Sequence, residues 1–455
     1  MASAIPSDLR DQLERQTGCA IAAEKARGGG GASRQGAEVT LRGPDGAERH
    51  CYLAWDLRAA DPSRLPYFER ETAILAALSG KYRGCGVTVA PLVGAFPSHL
   101  ALLSEFVAGK DRFPEAEDKA ALAREFVGQL AALHRLDAAD PVFAKLGDPH
   151  EPPGARIAAN IARWRELNLA SGTDPIIQLA LEWLGENVPE DRGPAVVLHG
   201  DAGPGNFLHD GGRIAALVDW ELTHLGDPME DLAQIQVRSL IQPFVPMADV
   251  FAAYAETSGR PVEVKRVKFH RLYFQLSFSA PTAALAAAPG SSVGATGTAM
   301  LYGTMHRRVI VRSVAELAGI VVTDPVMPEF PASPDDRLFQ TALDDLRNDI
   351  VPGAASQRAS AKAKELARLV KYWRRRASHG AAYDAQELAE LRAALPGAPA
   401  DLAGARLALA RAIAADSIDF AVAAQLCHAR VTRETDLMRD AMGALATTWY
   451  EDLPE

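Results

Sequence analysis

The sequence predicts an α+β protein: a small strand-rich lobe, a larger helical lobe around a short strand-rich insert, and a further helical domain. Three observations carry this reading. Segments with period-two alternation and turn residues crowd the first hundred positions. After residue 194, short apolar strands and glycine-rich turns interrupt helical patterns on either side. Beyond residue 330 nearly every segment carries helical spacing. The expected domains are 1–108, 109–330 and 331–455. The length of 455 residues, at roughly 150 per domain, agrees with more than one domain.

In the first part a short helical opening precedes a glycine run at 28–31. Residues 38–41 and 50–57 read as strands around the turn Gly43-Pro44-Asp45-Gly46. In the second, Cys51, Leu53, Trp55 and Leu57 alternate with Tyr52, Ala54, Asp56 and Arg58, which suits a sheet with two different faces. Residues 67–78 read as a helix with Phe68, Ile74, Leu75 and Leu78 as its apolar positions. Residues 92–96 and 100–106 are further strands.

In the second part, Leu122, Phe126, Leu130 and Leu133 recur at helical spacing, with His134 next. Residues 195–198 form an apolar strand that runs into His199-Gly200-Asp201. Two strands, 207–208 and 214–218, flank the turn Asp210-Gly211-Gly212. The connection at 330–337 has two prolines and two aspartates and reads as a linker or helix start. In the third part, Leu338, Ala342, Leu346 and Ile350 make one stripe, and Leu366, Leu369, Val370 and Trp373 another. Residues 402–413 and 418–426 continue the pattern, which suggests a bundle.

Composition excludes several classes. With 48% hydrophobic and 23% charged residues the mix is globular. The net charge of −10 argues against general nucleic-acid binding. No apolar run is long enough to span a bilayer, and the opening residues do not resemble a signal peptide. The four cysteines lie far apart with no CxxC pair, so a cysteine zinc site and a dithiol motif are not expected. A cytoplasmic, reducing location fits them.

The most informative stretch is 196–233. It sets His199, Asp201 and Asn206 in the order HxDxxxxN, with Asp219 across a hairpin. Asp201 follows a strand on a loop, where a carboxylate is both exposed and held. Asn206 and Asp219 offer oxygen donors suited to magnesium. A base beside a magnesium site is what hydroxyl-to-phosphoryl transfer needs. Asp and Asn also cap turns, but an ordered set on both sides of a hairpin goes beyond capping.

Here the sequence resembles the aminoglycoside phosphotransferase and choline kinase family, a relative of protein kinases, over about residues 20–320. Five elements match in order: His199-Gly200-Asp201, Asn206, Asp219-Trp220-Glu221, Gly226-Asp227-Pro228 and Asp231-Leu232-Ala233. The resemblance implies a bilobal protein-kinase-like fold that binds ATP and Mg2+. It makes Asp201 the catalytic base or hydroxyl-orienting group, and Asn206 and Asp219 the metal ligands. His199 is expected to hold the loop. Glu221 either contacts metal or substrate or supports the loop, and Asp227 and Asp231 accept backbone hydrogen bonds.

For the nucleotide, the resemblance points to Gly30, Gly31 and Ser33 as a phosphate-covering loop. Glu71 matches the helix glutamate that pairs with a strand base, and Arg58 is the base chosen for it. The strand departs from the family's apolar-apolar-basic pattern, with Trp55-Asp56 in the way. Glu105 and Val107, around Phe106, match the segment that meets adenine.

Residues 290–294 also fit GxSxG, a hydrolase elbow centred on Ser292, but that motif needs a strand before it and a helix after it. A mobile loop is the expectation there. Between 257 and 315 the only acid is Glu263, against Arg260, Lys265, Arg266, Lys268, Arg271, Arg307, Arg308 and Arg312. This segment is either a seat for an anionic acceptor or a face paired elsewhere. The sequence is also similar to the kinase branch found with, or fused to, acyl-CoA dehydrogenases, which implies a hydroxyacyl-CoA acceptor. The expected activity is ATP-dependent phosphorylation of a small-molecule hydroxyl. The alternatives are an aminoglycoside or other antibiotic kinase, and a nucleotide-binding module with little catalysis. The third part is expected to dock a second copy or a protein partner.

Overall fold

The computed structural model describes residues 5–27, 34–288, 290–328 and 333–453. Residues Gly30, Gly31 and Ser33 lie outside them. The chain divides into two compact units. One comprises Met1–Pro153, Asp191–Val267 and Tyr450–Glu455; the other comprises Gly154–Glu190 and Lys268–Trp449.

The first unit opens with helix α1 (Ser7–Thr17), which ends at Gly18 in the left-handed region. Five antiparallel strands follow in the spatial order β1-β2-β3-β5-β4: β1 (Ala20–Arg27), β2 (Arg34–Arg42), β3 (Glu48–Asp56), β4 (Leu92–Phe96) and β5 (Ala101–Glu105). The alternation read in β3 sets its two faces. Cys51, Leu53 and Trp55 pack with Val39, Leu41, Leu103 and with Leu9 and Leu13 of α1. The opposite face carries Tyr52, Ala54 and Asp56. The expectation placed only a helical opening before residue 28, yet β1 follows the helix there. Its sequence, AIAAEKAR, favours a helix by local preference, and pairing with β2 from Ala20↔Arg42 to Arg27↔Gly36 overrides it. Helix α2 (Leu65–Ser79) buries Phe68, Ile74 and Leu78 in the unit's other core.

The rest of this unit packs on α3 (Lys119–Leu133), whose Leu122, Phe126, Leu130 and Leu133 are fully buried. Two short strand pairs frame the informative stretch. After the helices α4 (Pro153–Ala170) and α5 (Pro175–Glu186), β6 (Val196–Leu198) pairs with β9 (His224–Gly226), and β7 (Phe207–His209) pairs with β8 (Ile214–Leu217). The β7–β8 turn is fixed by Asp210, whose Oδ1 accepts from Gly212 N at 3.1 Å and Arg213 N at 2.9 Å. Helices α6 (Met229–Ser239) and α7 (Met247–Ser258) complete the unit.

The second unit is helical. It contains α4, α5, most of α8 (Val264–Ala287), α9 (Gly297–Ala318), α10 (Asp336–Asp345), α11 (Gln357–Ala394), α12 (Leu402–Ala414) and α13 (Phe420–Met442). Ile176, Leu179 and Leu184 of α5 share a core with Ile310 of α9, Leu409 of α12 and Val431 of α13. The packing therefore groups helices from both sides of position 331. Helix α5 is buried nearly all round, and such a helix gives no sequence sign of which neighbours cover it.

This packing also answers the basic segment. Arg266 pairs with Asp227 inside the first unit. In the second unit Lys268 reaches Glu316 at 2.9 Å, and Arg271 pairs with the same acid. Arg307 meets Glu434 at 2.9 Å and also pairs with Asp174. Arg308 donates to the carbonyls of Leu445 and Thr448, and Arg312 lies 4.0 Å from the Trp449 ring centroid. These six bases serve internal contacts, so the run of positive charge does not by itself describe an acceptor site. Ser292 lies in a loop that follows helix α8, not a strand, so the hydrolase elbow lacks the context it requires. Among the described residues no helix is long and apolar enough to cross a membrane.

Candidate active site

The loop between β6 and β7 is held by α6. Asp231, with no exposed surface, accepts from His199 N at 2.9 Å and from Gly200 N at 3.0 Å. Its Oδ2 also meets His134 Nε2 at 3.0 Å, and His134 Nδ1 meets the Tyr254 hydroxyl at 2.8 Å. One turn further along α6, Gln234 Oε1 accepts from Ala202 N at 2.9 Å. Gly200 has a φ of +86°, and a Cβ there would stand 2.0 Å from the Leu222 carbonyl oxygen. Only glycine fits that turn.

His199 braces the loop, as its position suggests. Nε2 meets Val218 O at 3.0 Å, Nδ1 accepts from Asp201 N at 3.3 Å, and the ring lies 4.5 Å from the Trp220 ring. Burial lowers its pKa, which favours the neutral ring that this bracing uses.

This scaffold brings Asp201, Asn206 and Asp219 together. Asn206 Nδ2 donates to Asp201 Oδ2 and to Asp201 O, both at 2.8 Å. Asn206 O accepts from Val218 N at 3.0 Å, which ties the loop to the residue before Asp219. Asp219 itself adopts a left-handed conformation, φ +68°, that turns the chain sharply after β8. Desolvation and the charges of Asp201, Glu221 and Glu71 push its pKa up to about 7. Water reaches Asp219, which moderates the effect but not its direction.

Acids whose charges raise the pKa of Asp219 make a setting that fits a cation. Asp219 offers a hard oxygen donor open to solvent. Among the described residues no three acidic, histidine or cysteine side chains form a preformed metal cage. Magnesium does not require one, since it commonly takes one or two protein oxygens and completes its shell with water and phosphate.

Two arginines join the site that the sequence reading did not name. Arg238 of α6 donates to Asp201 Oδ2 at 2.7 Å, to Asn206 Oδ1 at 2.8 Å and to Pro204 O at 3.0 Å. The signal for it was present: Asp231, Gln234 and Arg238 are spaced three and four apart, so they line one face of α6. Arg34 pairs with Glu71 at 2.5 Å, and both side chains are largely buried. No local pattern announces Arg34, because strand pairing brings it there.

The Glu71 assignment therefore needs correction at its partner. Arg58 does not meet Glu71; it lies 3.9 Å from Asp56 with 57% of its side chain exposed. It sits past the end of β3, where the strand no longer aims side chains toward α2. Glu221, the residue left open between metal and support, meets Arg64 Nη2 at 3.3 Å. Glu105 ends β5 and pairs with Arg49 at 2.5 Å. Val107 lies two residues beyond and is half-buried, after Phe106 stacks on His50 at 4.3 Å.

Parts of this chain are similar to known proteins. Residues 42–263 match the family model described as the phosphotransferase enzyme family. This matched segment, just under half of the chain, holds the whole Asp201–Asn206–Asp219 set. The human protein named acyl-CoA dehydrogenase family member 11 is 34% identical over 89 residues, 19% of this chain and 11% of that protein. The rat protein of the same name is 27% identical over 150 residues, 32% of this chain and 19% of that protein. The chain thus spans only about a tenth to a fifth of these relatives. Among solved structures, a macrolide 2′-phosphotransferase of Brachybacterium faecium shares 22% identity at a TM-score of 0.45. That match covers 69% of this chain and 98% of the other.

Proposed function

We propose that this chain phosphorylates a hydroxyl of a small molecule, with Asp201 as the group that orients the acceptor and receives its proton. Asn206 and Asp219 are the proposed metal ligands. ATP with its magnesium, when bound, supplies the phosphoryl group and neutralises charge on it. The chain's own part is positional. Asn206 and Arg238 fix the Asp201 carboxylate, and Asp231 and His199 fix the loop beneath it. The observation that carries the reading is the direct Asn206–Asp201 hydrogen bond beside the acidic Asp219.

Glu105 and Val107 are the proposed adenine contacts, and Glu71 the proposed anchor for the phosphate side. Gly30, Gly31 and Ser33 retain their proposed phosphate-loop role on sequence grounds. The acceptor to test first is a hydroxyacyl-CoA ester, supported by the name of the partial relatives and not by the basic segment. The four free cysteines support a reducing, cytoplasmic setting.

Asp201→Asn is the test. It keeps size and most hydrogen bonding but removes the proton acceptor. Transfer is expected to fall by about a hundredfold to ten-thousandfold, the usual worth of general base catalysis. Nucleotide binding is expected to remain. Transfer within threefold of wild type would remove Asp201 from this role.

A further inference from the structure

In kinases a base on the third strand meets the nucleotide phosphates and pairs with a helix glutamate. Here the face of β3 that carries His50, Tyr52, Ala54 and Asp56 offers no lysine or arginine. Trp55 points to the opposite face, where it is buried against the α1 core. Asp56 is buried and accepts from Arg64 Nε at 2.7 Å. Arg58 is beyond the strand and exposed.

The neighbouring strand fills the gap. Antiparallel register sets Arg34, the first residue of β2, directly opposite Asp56, the last of β3. Directly opposed residues project to the same face. From there Arg34 Nη2 reaches Glu71 at 2.5 Å and lies 3.9 Å from Glu221, two residues past Asp219. The guanidinium is therefore anchored by the helix acid and faces the acidic group at the proposed metal site. Its Nε is buried with no hydrogen-bond acceptor. A guanidinium has five donors, so the Glu71 contact leaves it donors for a phosphate oxygen.

We propose that Arg34, carried on the second strand, is the base that binds the nucleotide's phosphates in this chain, with Glu71 holding it in place. The inference rests on the kinase reading of the site and names the residue that the third strand lacks. It also makes the Trp55-Asp56 departure a relocation of charge to an adjacent strand.

The test is displacement of a fluorescent ADP analogue by ADP and, separately, by adenosine, with magnesium present. Arg34→Ala should weaken ADP by about tenfold to a hundredfold, as for one lost charge-assisted contact. Adenosine, which has no phosphate, should change by less than threefold. Arg58→Ala should change neither. Because Arg34→Ala strands the buried Glu71, the neutral pair Arg34→Gln with Glu71→Gln is measured beside it and should show the same selective loss. Equal losses for ADP and adenosine in both variants would make Arg34 a structural residue and overturn the proposal. Unchanged ADP binding would overturn it as well. Failure of the unmodified chain to bind the analogue would overturn the kinase reading itself, a distinct result.

Discussion

Asp231→Asn removes one charge and no volume, yet it strikes the post on which the loop bearing Asp201 hangs. The carboxylate accepts from His199 N at 2.9 Å, Gly200 N at 3.0 Å and His134 Nε2 at 3.0 Å. Gly200 N faces one oxygen, and His199 N and His134 face the other. An amide placed either way turns its NH2 toward a backbone N–H. One hydrogen bond to a charged acceptor is lost, about 1.5–3 kcal/mol, and one buried donor is stranded, about 1–3 kcal/mol. The two overlap, so the combined cost is roughly 3–5 kcal/mol. With a urea slope of about 2–3 kcal/mol/M, the unfolding midpoint should drop by about 1–2.5 M. Tryptophan fluorescence can follow it, because Trp220 packs on His199. The displaced loop also carries Asp201, and a shift near 1 Å costs on the order of a hundredfold in rate. A midpoint lowered by less than about 0.3 M, with transfer unchanged, would refute this account of how the loop is held.

Other expectations follow from the same geometry. Gly200→Ala combines a left-handed backbone with a Cβ 2.0 Å from Leu222 O, and should abolish the thermal shift that magnesium and ADP give the native chain. An unchanged shift would show that the turn can relax. In the helical unit, His306 is held below its ordinary pKa, at about 4, by burial. The unfolded chain then binds more protons between about pH 6.5 and 4, so His306 lowers stability as pH falls through that window. His306→Gln should flatten the pH dependence of unfolding there, and an unaltered slope would assign it to other groups.

The site was legible where its contacts are local in sequence. Asp201, Asn206 and Asp219 lie within one strand–loop–hairpin passage, and their spacing alone says that they converge. The alternation in β3 was legible for the same reason, since each face shows in every second residue. What depends on register was not. Arg34 reaches Glu71 only because β2 and β3 pair with position 34 opposite 56, and no short window contains that fact. Strand β1 was hidden by residues that favour a helix until an edge pairing commits them. The basic segment misled because charge is visible in a sequence and its partners are not. Glu434 lies far along the chain from Arg307, yet it is one of the acids that pair with it.

The most direct measurement is magnesium-dependent ADP formation by the full chain and by Asp201→Asn. The acceptors are supplied as separate pools: hydroxyacyl-CoA esters, aminoglycosides, macrolides and amino alcohols. Product mass identifies the phosphorylated compound. The account predicts turnover in at least one pool, a phosphorylated hydroxyl in its product, and loss of at least a hundredfold in the variant. Equal turnover by the variant and the unmodified chain would contradict it.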